Sequence, residues 1–220
     1  ISDLTITGGE AWFYPDWFGG GMRLSYSDPT ITNVTITNNM ALGGGGMLIQ
    51  NYSNPTLTGV TITNNTANQQ WGGVNLGGGI FFNNQLGGDL SPILNNSIIW
   101  DNNPGSINLN SGTPVITYSD IEGGYTGIGN INSDPLFADP ANDNYTLQLG
   151  SPAIDAGDPD LDGDGSDYTT DTDDQDPDGT RMDMGAYYFI QNDTIPPDLH
   201  VTSLSSTNVG TEDSLSLIHI

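Results

Sequence analysis

Twelve aspartates crowd residues 155–183, and the spacing of some of them suits a metal ion. Asp160, Asp162, Asp164, Gly165 and Asp171 follow the pattern D-x-D-x-D-G-x5-[DE]. Alternate carboxylates there direct hard oxygens at one centre, the glycine permits a sharp turn, and the ion such a set takes is Ca2+. Moving the frame back by two gives Asp158, Asp160 and Asp162 with Gly163, a set that lacks the final acid. No helical period flanks the loop, which argues against an EF-hand, and a solvated acidic loop is the alternative. So many like charges in one short stretch repel each other unless something positive intervenes.

A second group could touch sugars. Trp12, Phe13, Tyr14, Trp17 and Phe18 share one stretch, Trp71 lies in another, and Trp100 stands near the corresponding point of a third. Flat amphipathic rings on one flank would make a platform for carbohydrate. The other reading is that the first stretch folds over an exposed end of the structure and shields it.

Catalysis finds less support. Glycoside hydrolysis needs two carboxyl groups ~5–9.5 Å apart, and Asp101 with Glu122, Asp120 nearby, is the one pair to consider. Lyase chemistry on uronic acids needs a base and cations to neutralise the substrate. Lysine is absent, Arg23 is the sole arginine before Arg181, and the histidines are at 200 and 219. No catalytic residue is assigned.

These groups must be positioned by a repeat. "PTITNVTITNN" at Pro29–Asn39 returns as "PTLTGVTITNN" at Pro55–Asn65. Three columns extend it to five copies: Ile1, Ile31, Leu57, Leu94, Ile116; then Leu4, Val34, Val60, Ser97, Ser119; then Ile6, Ile36, Ile62, Ile99, Ile121. Alternation of apolar and polar residues in V-T-I-T is the period of a strand with one buried face. Shorter strands recur after glycines in GGMRL, GGMLI and GGIFF, with Ser106–Leu109 as a glycine-poor version. Matching columns and the lack of helical periods point to an all-β solenoid of stacked coils, a parallel β-helix. Asn38, Asn64 and Asp101 share one column, and Asn39, Asn65 and Asn102 the next. These either form amide ladders that satisfy buried backbone groups or reflect plain turn propensity. Intervals between the third column and the glycine-led strand grow in the first and third copies, so the aromatic insertions leave the coils at one corner.

Two basic residues against 27 acidic ones give a net charge of −25, which excludes nucleic acid and anionic membranes as partners. No apolar run is long enough to insert in a membrane. Cysteine is absent, so there are no disulfides. Acidic, lysine-free, Asn/Thr/Gly-rich composition points to work outside a cell.

The repeats over residues 1–131 resemble bacterial secreted right-handed parallel β-helix proteins of the pectate-lyase-like class. The resemblance implies the right hand, and it brings in a class that includes polysaccharide lyases and hydrolases. Residues 132–190 hold "DPLF", "SPAIDAG" and "RMDMGAYYF", in the order found in the choice-of-anchor Q domain that ends many such surface proteins. That likeness implies an irregular acidic C-terminal cap, further domains of the same polypeptide, and a secreted or cell-surface location. Tyr188 departs from it, standing where the family commonly has Glu. Leu136, Phe137, Tyr145, Leu147, Leu149 and Ile154 are expected to cover the last coil, Ala186, Tyr187 and Phe189 to return as a strand, and Arg181 to pair with an aspartate. Residues 191–198 read as a linker, 199–214 as the start of an immunoglobulin-like module, and 215–220 as translated sequencing adapter. The function expected is structural, displaying loops for adhesion or glycan contact; the alternatives are a polysaccharide-degrading enzyme and a passive spacer.

Overall fold

Each V-T-I-T stretch forms a strand parallel to its counterpart one coil away. In the computed structural model, which describes residues 1–11, 17–68 and 76–191, Ile6 pairs with Ile36, Ile36 with Ile62, Ile62 with Ile99, and Ile99 with Ile121. A second file runs Ile31, Leu57, Leu94, Ile116. Both files point into one core, shared with Met47, Ile49, Ile80 and Phe82. Each buried aliphatic side chain contributes about 1.5–3 kcal/mol, so stacked coils are stable where one coil would not be.

Three parallel sheets make the faces of the rod. The largest has eight strands, among them Ser2–Thr7, Thr30–Thr37, Thr61–Thr63 and Ile98–Trp100. The second holds Met22–Ser25, Met47–Gln50, Ile80–Asn83 and Ile107–Leu109. The third is made of two-residue strands, Glu10–Ala11, Met40–Ala41 and Thr66–Ala67. The described residues contain no α-helix, and no helix is long and apolar enough to cross a membrane.

The first sheet bends at one column. Asp3, Asn33, Gly59, Asn96 and Tyr118 all take positive φ, between 45° and 60°. This explains the exchange of Asn33 for Gly59 between otherwise matching segments, because Asn and Gly tolerate the left-handed region best. At the next corner Asn38, Asn64 and Asp101 are also left-handed, and the neighbouring column forms the amide ladder. Asn39 Nδ2 donates to Asn65 Oδ1, and Asn65 Nδ2 donates to Asn102 Oδ1, each at 3.0 Å. The same amides donate to Ile6 O, Ile36 O and Ile62 O. Where the second column changes from Val60 to Ser97 and Ser119, each serine hydroxyl accepts a backbone N–H from the coil before it.

The ends differ from expectation. Phe18 bridges to Gly43 and packs 6.0 Å from Phe81 on the outside of the second sheet, so the described part of the first insertion covers a flank of the rod instead of its open end. The last coil is closed by residues 122–133: Tyr125 packs on the core, and Asn130 bonds Ile116 O and Ser119 N.

Residues 134–190 lie along the outer face of the first sheet. Phe137, Tyr145, Leu147 and Met184 pack with Ile98 and Trp100 in a second apolar cluster. Tyr145 OH bonds Thr37 Oγ1 at 2.8 Å, and Ala186 N donates to Thr61 Oγ1 at 2.9 Å. The acidic segment therefore caps a side. Leu149 is 85% exposed and Leu136 is exposed too, because Leu149 lies in the turn after the strand and Leu136 in a left-handed backbone conformation just before the other. Phe137–Asp139 and Asn144–Leu147 form an antiparallel hairpin. Ala186–Phe189 form no strand; Gly185 N and Ala186 N instead bond Asn96 O and Thr61 Oγ1 on the coils.

Ile1–Ile190 form one compact unit. The expected linker beyond Gln191, the immunoglobulin-like start and the adapter lie outside the described residues.

Candidate functional site

Where the hairpin meets the first sheet it leaves a cleft of about 550 Å³. Trp100 forms part of one wall because it follows Ile99 on the strand, and alternation turns it outward while Ile99 faces the core. Beside it, Asn64 and Asp101 sit at the left-handed corner, where the backbone turn pushes side chains away from the rod. Asp134, Phe137, Tyr145 and Gln148 form the opposite wall. Phe137 and Tyr145 meet edge to face, 5.4 Å between ring centres, and burial pushes the Tyr145 hydroxyl above its ordinary pKa. The cleft thus combines aromatic side chains with amides and carboxylates that can bond polar groups.

The other aromatics are distributed differently. Trp12, Tyr14 and Trp71 lie outside the described residues. Trp17 is 41% exposed beside Phe18, which lines a depression with Leu76 and with Phe81 and Asn108 of the second sheet. Trp100 lies on the first sheet, whereas Trp17 lies outside the strands and does not line the cleft.

Asp101 and Glu122 are tied together through backbone: Asp101 N donates to Glu122 Oε2 at 2.9 Å, so the Glu122 carboxylate holds a corner. Asp120 is fully buried, and burial, followed by the effect of Asp134, raises its pKa to about 6 despite a hydrogen bond from Ser133 N.

The acidic loop gathers two carboxylate groups. Asp162, Asp164 and Asp171 form one, and Asp160, Asp162 and Asp174 the other, with ligand oxygens in each within 4.8 Å of one another. Both suit a hard cation. Gly165 N donates to Asp160 Oδ2 at 3.1 Å and Asp164 N to Asp162 Oδ1 at 3.0 Å, which folds the loop around its own acids. Asp174 was not legible as a ligand. It is fully buried, accepts from Leu161 N at 2.5 Å, and its Oδ2 has no hydrogen-bond partner; burial raises its pKa. Asp158 stands outside both groups, accepting from Asn95 Nδ2 at 2.9 Å. It serves as a tie to the coil because its own N–H also reaches Asn96 Oδ1.

A third group, Asp155, Asp176 and Asp183, lies within the same oxygen spacing. Burial raises Asp176 to about 7 and Asp183 to about 6. The Arg181 guanidinium, expected to pair with an aspartate, lies 5.7 Å from the centre of the Tyr118 ring.

Parallel coils with in-register aliphatic files agree with the comparison to known families, in which residues 1–140 match the right handed beta helix region. The chain belongs to the right-handed β-helix family. No curated protein and no solved structure matches it. The β-helix match covers the coils and the start of the hairpin that forms the cleft.

Proposed function

We propose that this β-helix is a structural rod of a secreted or cell-surface protein, which contacts glycan in the cleft between its first sheet and its acidic segment. The observation that carries this reading is the cleft itself, lined by the half-buried Trp100 on the rod beside Asn64 and Asp101, and by Gln148. At about 550 Å³ it suits a ligand the size of one or two sugar rings. Ca2+ bound among Asp160, Asp162, Asp164, Asp171 and Asp174 would neutralise and order the acidic loop. The likeness of that segment to choice-of-anchor Q modules supports the extracellular setting. A glycan array with the full chain tests the reading, with binding expected to fall at least tenfold in Trp100→Ala and in the milder Asp101→Asn. An array without hits, or equal binding by both variants, would leave a passive spacer.

A second reading, cleavage of a polysaccharide, draws on Asp101 and Asp134 lining the same cleft. Reducing-sugar release that disappears in Asp134→Asn would support it, and inactivity on plant and algal polysaccharides would remove it.

A further inference from the structure

We infer that Asp155, Asp176 and Asp183 form a second cation site, separate from the Asp160–Asp171 loop, which takes a hard divalent ion such as Ca2+ and fastens the acidic segment to itself beside the rod. Each residue offers a carboxylate oxygen, and the three oxygens lie within 4.8 Å of one another. Corners of such a triangle share a centre about 2.8 Å away or closer, and a small contraction brings this to the ~2.3–2.6 Å of calcium–oxygen bonds.

Acidic clusters on a surface mean little, but this one is interior. Asp176 is 5% exposed and Asp183 1%. Hydrogen bonds account for most of their oxygens. Asp183 Oδ1 accepts from Asp155 N at 2.8 Å, and its Oδ2 from Phe189 N at 2.6 Å. Asp176 Oδ1 accepts from Asp178 N at 3.1 Å and Thr180 Oγ1 at 3.5 Å. Asp176 Oδ2 is buried and accepts from nothing. Native interiors rarely leave such an oxygen without a partner, and an enclosed carboxylate cluster needs positive charge. The guanidinium of Arg181, the nearest basic residue in sequence, lies 5.7 Å from the centre of the Tyr118 ring.

The location gives the ion a purpose. The three aspartates come from separate stretches, "SPAIDAG", "DQDPDG" and "RMDMGAYYF". Gly157 N to Met182 O and Met184 N to Ala153 O already link the first stretch to the last, and Gly185 N to Asn96 O joins them to the coils. An ion at their convergence closes this brace, whereas an ion in the loop orders only the loop.

Calorimetric titration of the chelator-treated full chain with Ca2+ separates the two sites. The loop variant Asp162→Asn/Asp164→Asn/Asp171→Asn is expected to retain one Ca2+ per chain and a thermal midpoint that rises on Ca2+ addition. Adding Asp176→Asn should weaken that binding at least tenfold and remove the rise; Asp155→Asn, at a less buried position, should do the same and serves if the first variant does not fold. The inference is overturned if the folded loop variant takes up no Ca2+ at up to about 10 mM, or if Asp176→Asn and Asp155→Asn bind as tightly as their parent. A carboxyl proton that stays bound in Ca2+, seen by infrared spectroscopy, would overturn it as well. Because the parent already lacks Asp162, which both loop groups share, together with Asp164 and Asp171, failure here leaves the loop reading intact.

Discussion

Replacing Asn65 with Ala tests whether the amide ladder holds the coils together. Asn65 is fully buried. Its Nδ2 donates to Ile36 O at 2.8 Å, Thr63 O at 2.9 Å and Asn102 Oδ1 at 3.0 Å, while its Oδ1 accepts from Asn39 N and Asn39 Nδ2, both at 3.0 Å. Alanine removes these bonds and strands polar groups of two neighbouring coils in an interior that water does not reach. With about 1 kcal/mol per lost bond and a further 1–3 kcal/mol for each group left unsatisfied, partial relaxation should bring the total to about 4 kcal/mol. Asn65→Asp should cost as much or more, because a carboxylate would face two carbonyl oxygens. Asn38→Ala is the control: its column is exposed and left-handed, so it should lose only about 1 kcal/mol. Urea unfolding followed by tryptophan fluorescence gives the comparison. Equal losses at Asn38 and Asn65, or a loss below about 1 kcal/mol in Asn65→Ala, would refute the view that the ladder is a structural tie and return it to turn propensity.

Gly45→Ala should prevent stable stacking, because an added Cβ would lie 2.5 Å from Thr66 O, a backbone atom that cannot swing aside; native-like circular dichroism at the parent's melting temperature would contradict this. Asp120→Asn should flatten part of the pH dependence of stability. The native pKa of about 6 exceeds the ordinary 3.8, so between these values the folded state keeps a proton that the unfolded state has lost, and stability falls as pH rises through that window. Above it the penalty is constant, about 2 kcal/mol after allowance for screening. The asparagine variant should therefore gain on the parent from pH 4 to 6, and equal profiles for the two would show that the buried carboxyl does not titrate as described.

Much of the rod was legible in the letters. Ile36, Ile62 and Ile99 share a column because a solenoid places equivalent residues one above another, so that periodicity in sequence becomes contact in space. The exchange of Asn33 for Gly59 likewise reports a backbone angle, which is a local property. The acidic segment has no period, so its path could not be read in the same way. Motif likeness predicted a cap over the last coil, but the match of Tyr145 to Thr37 and of Ala186 to Thr61 puts it on the flank.

The candidate sites divide along the same line. Spacing alone pointed to Asp160, Asp162, Asp164 and Asp171 as candidate ligands, since alternating carboxylates are a local pattern. It gave Asp158 the same standing as the others, although a bond to Asn95, 63 residues away, engages that carboxylate. It also missed Asp174, Asp176 and Asp183, whose separation from other acids comes from burial, and burial depends on which distant chain lies above a residue. The sequence by itself therefore determined the coil, its core and its acidic loop, because each arises from short-range pattern. Tertiary structure decided the cleft and the buried aspartate group, because both exist only where the returning chain meets a face that the coils had already built.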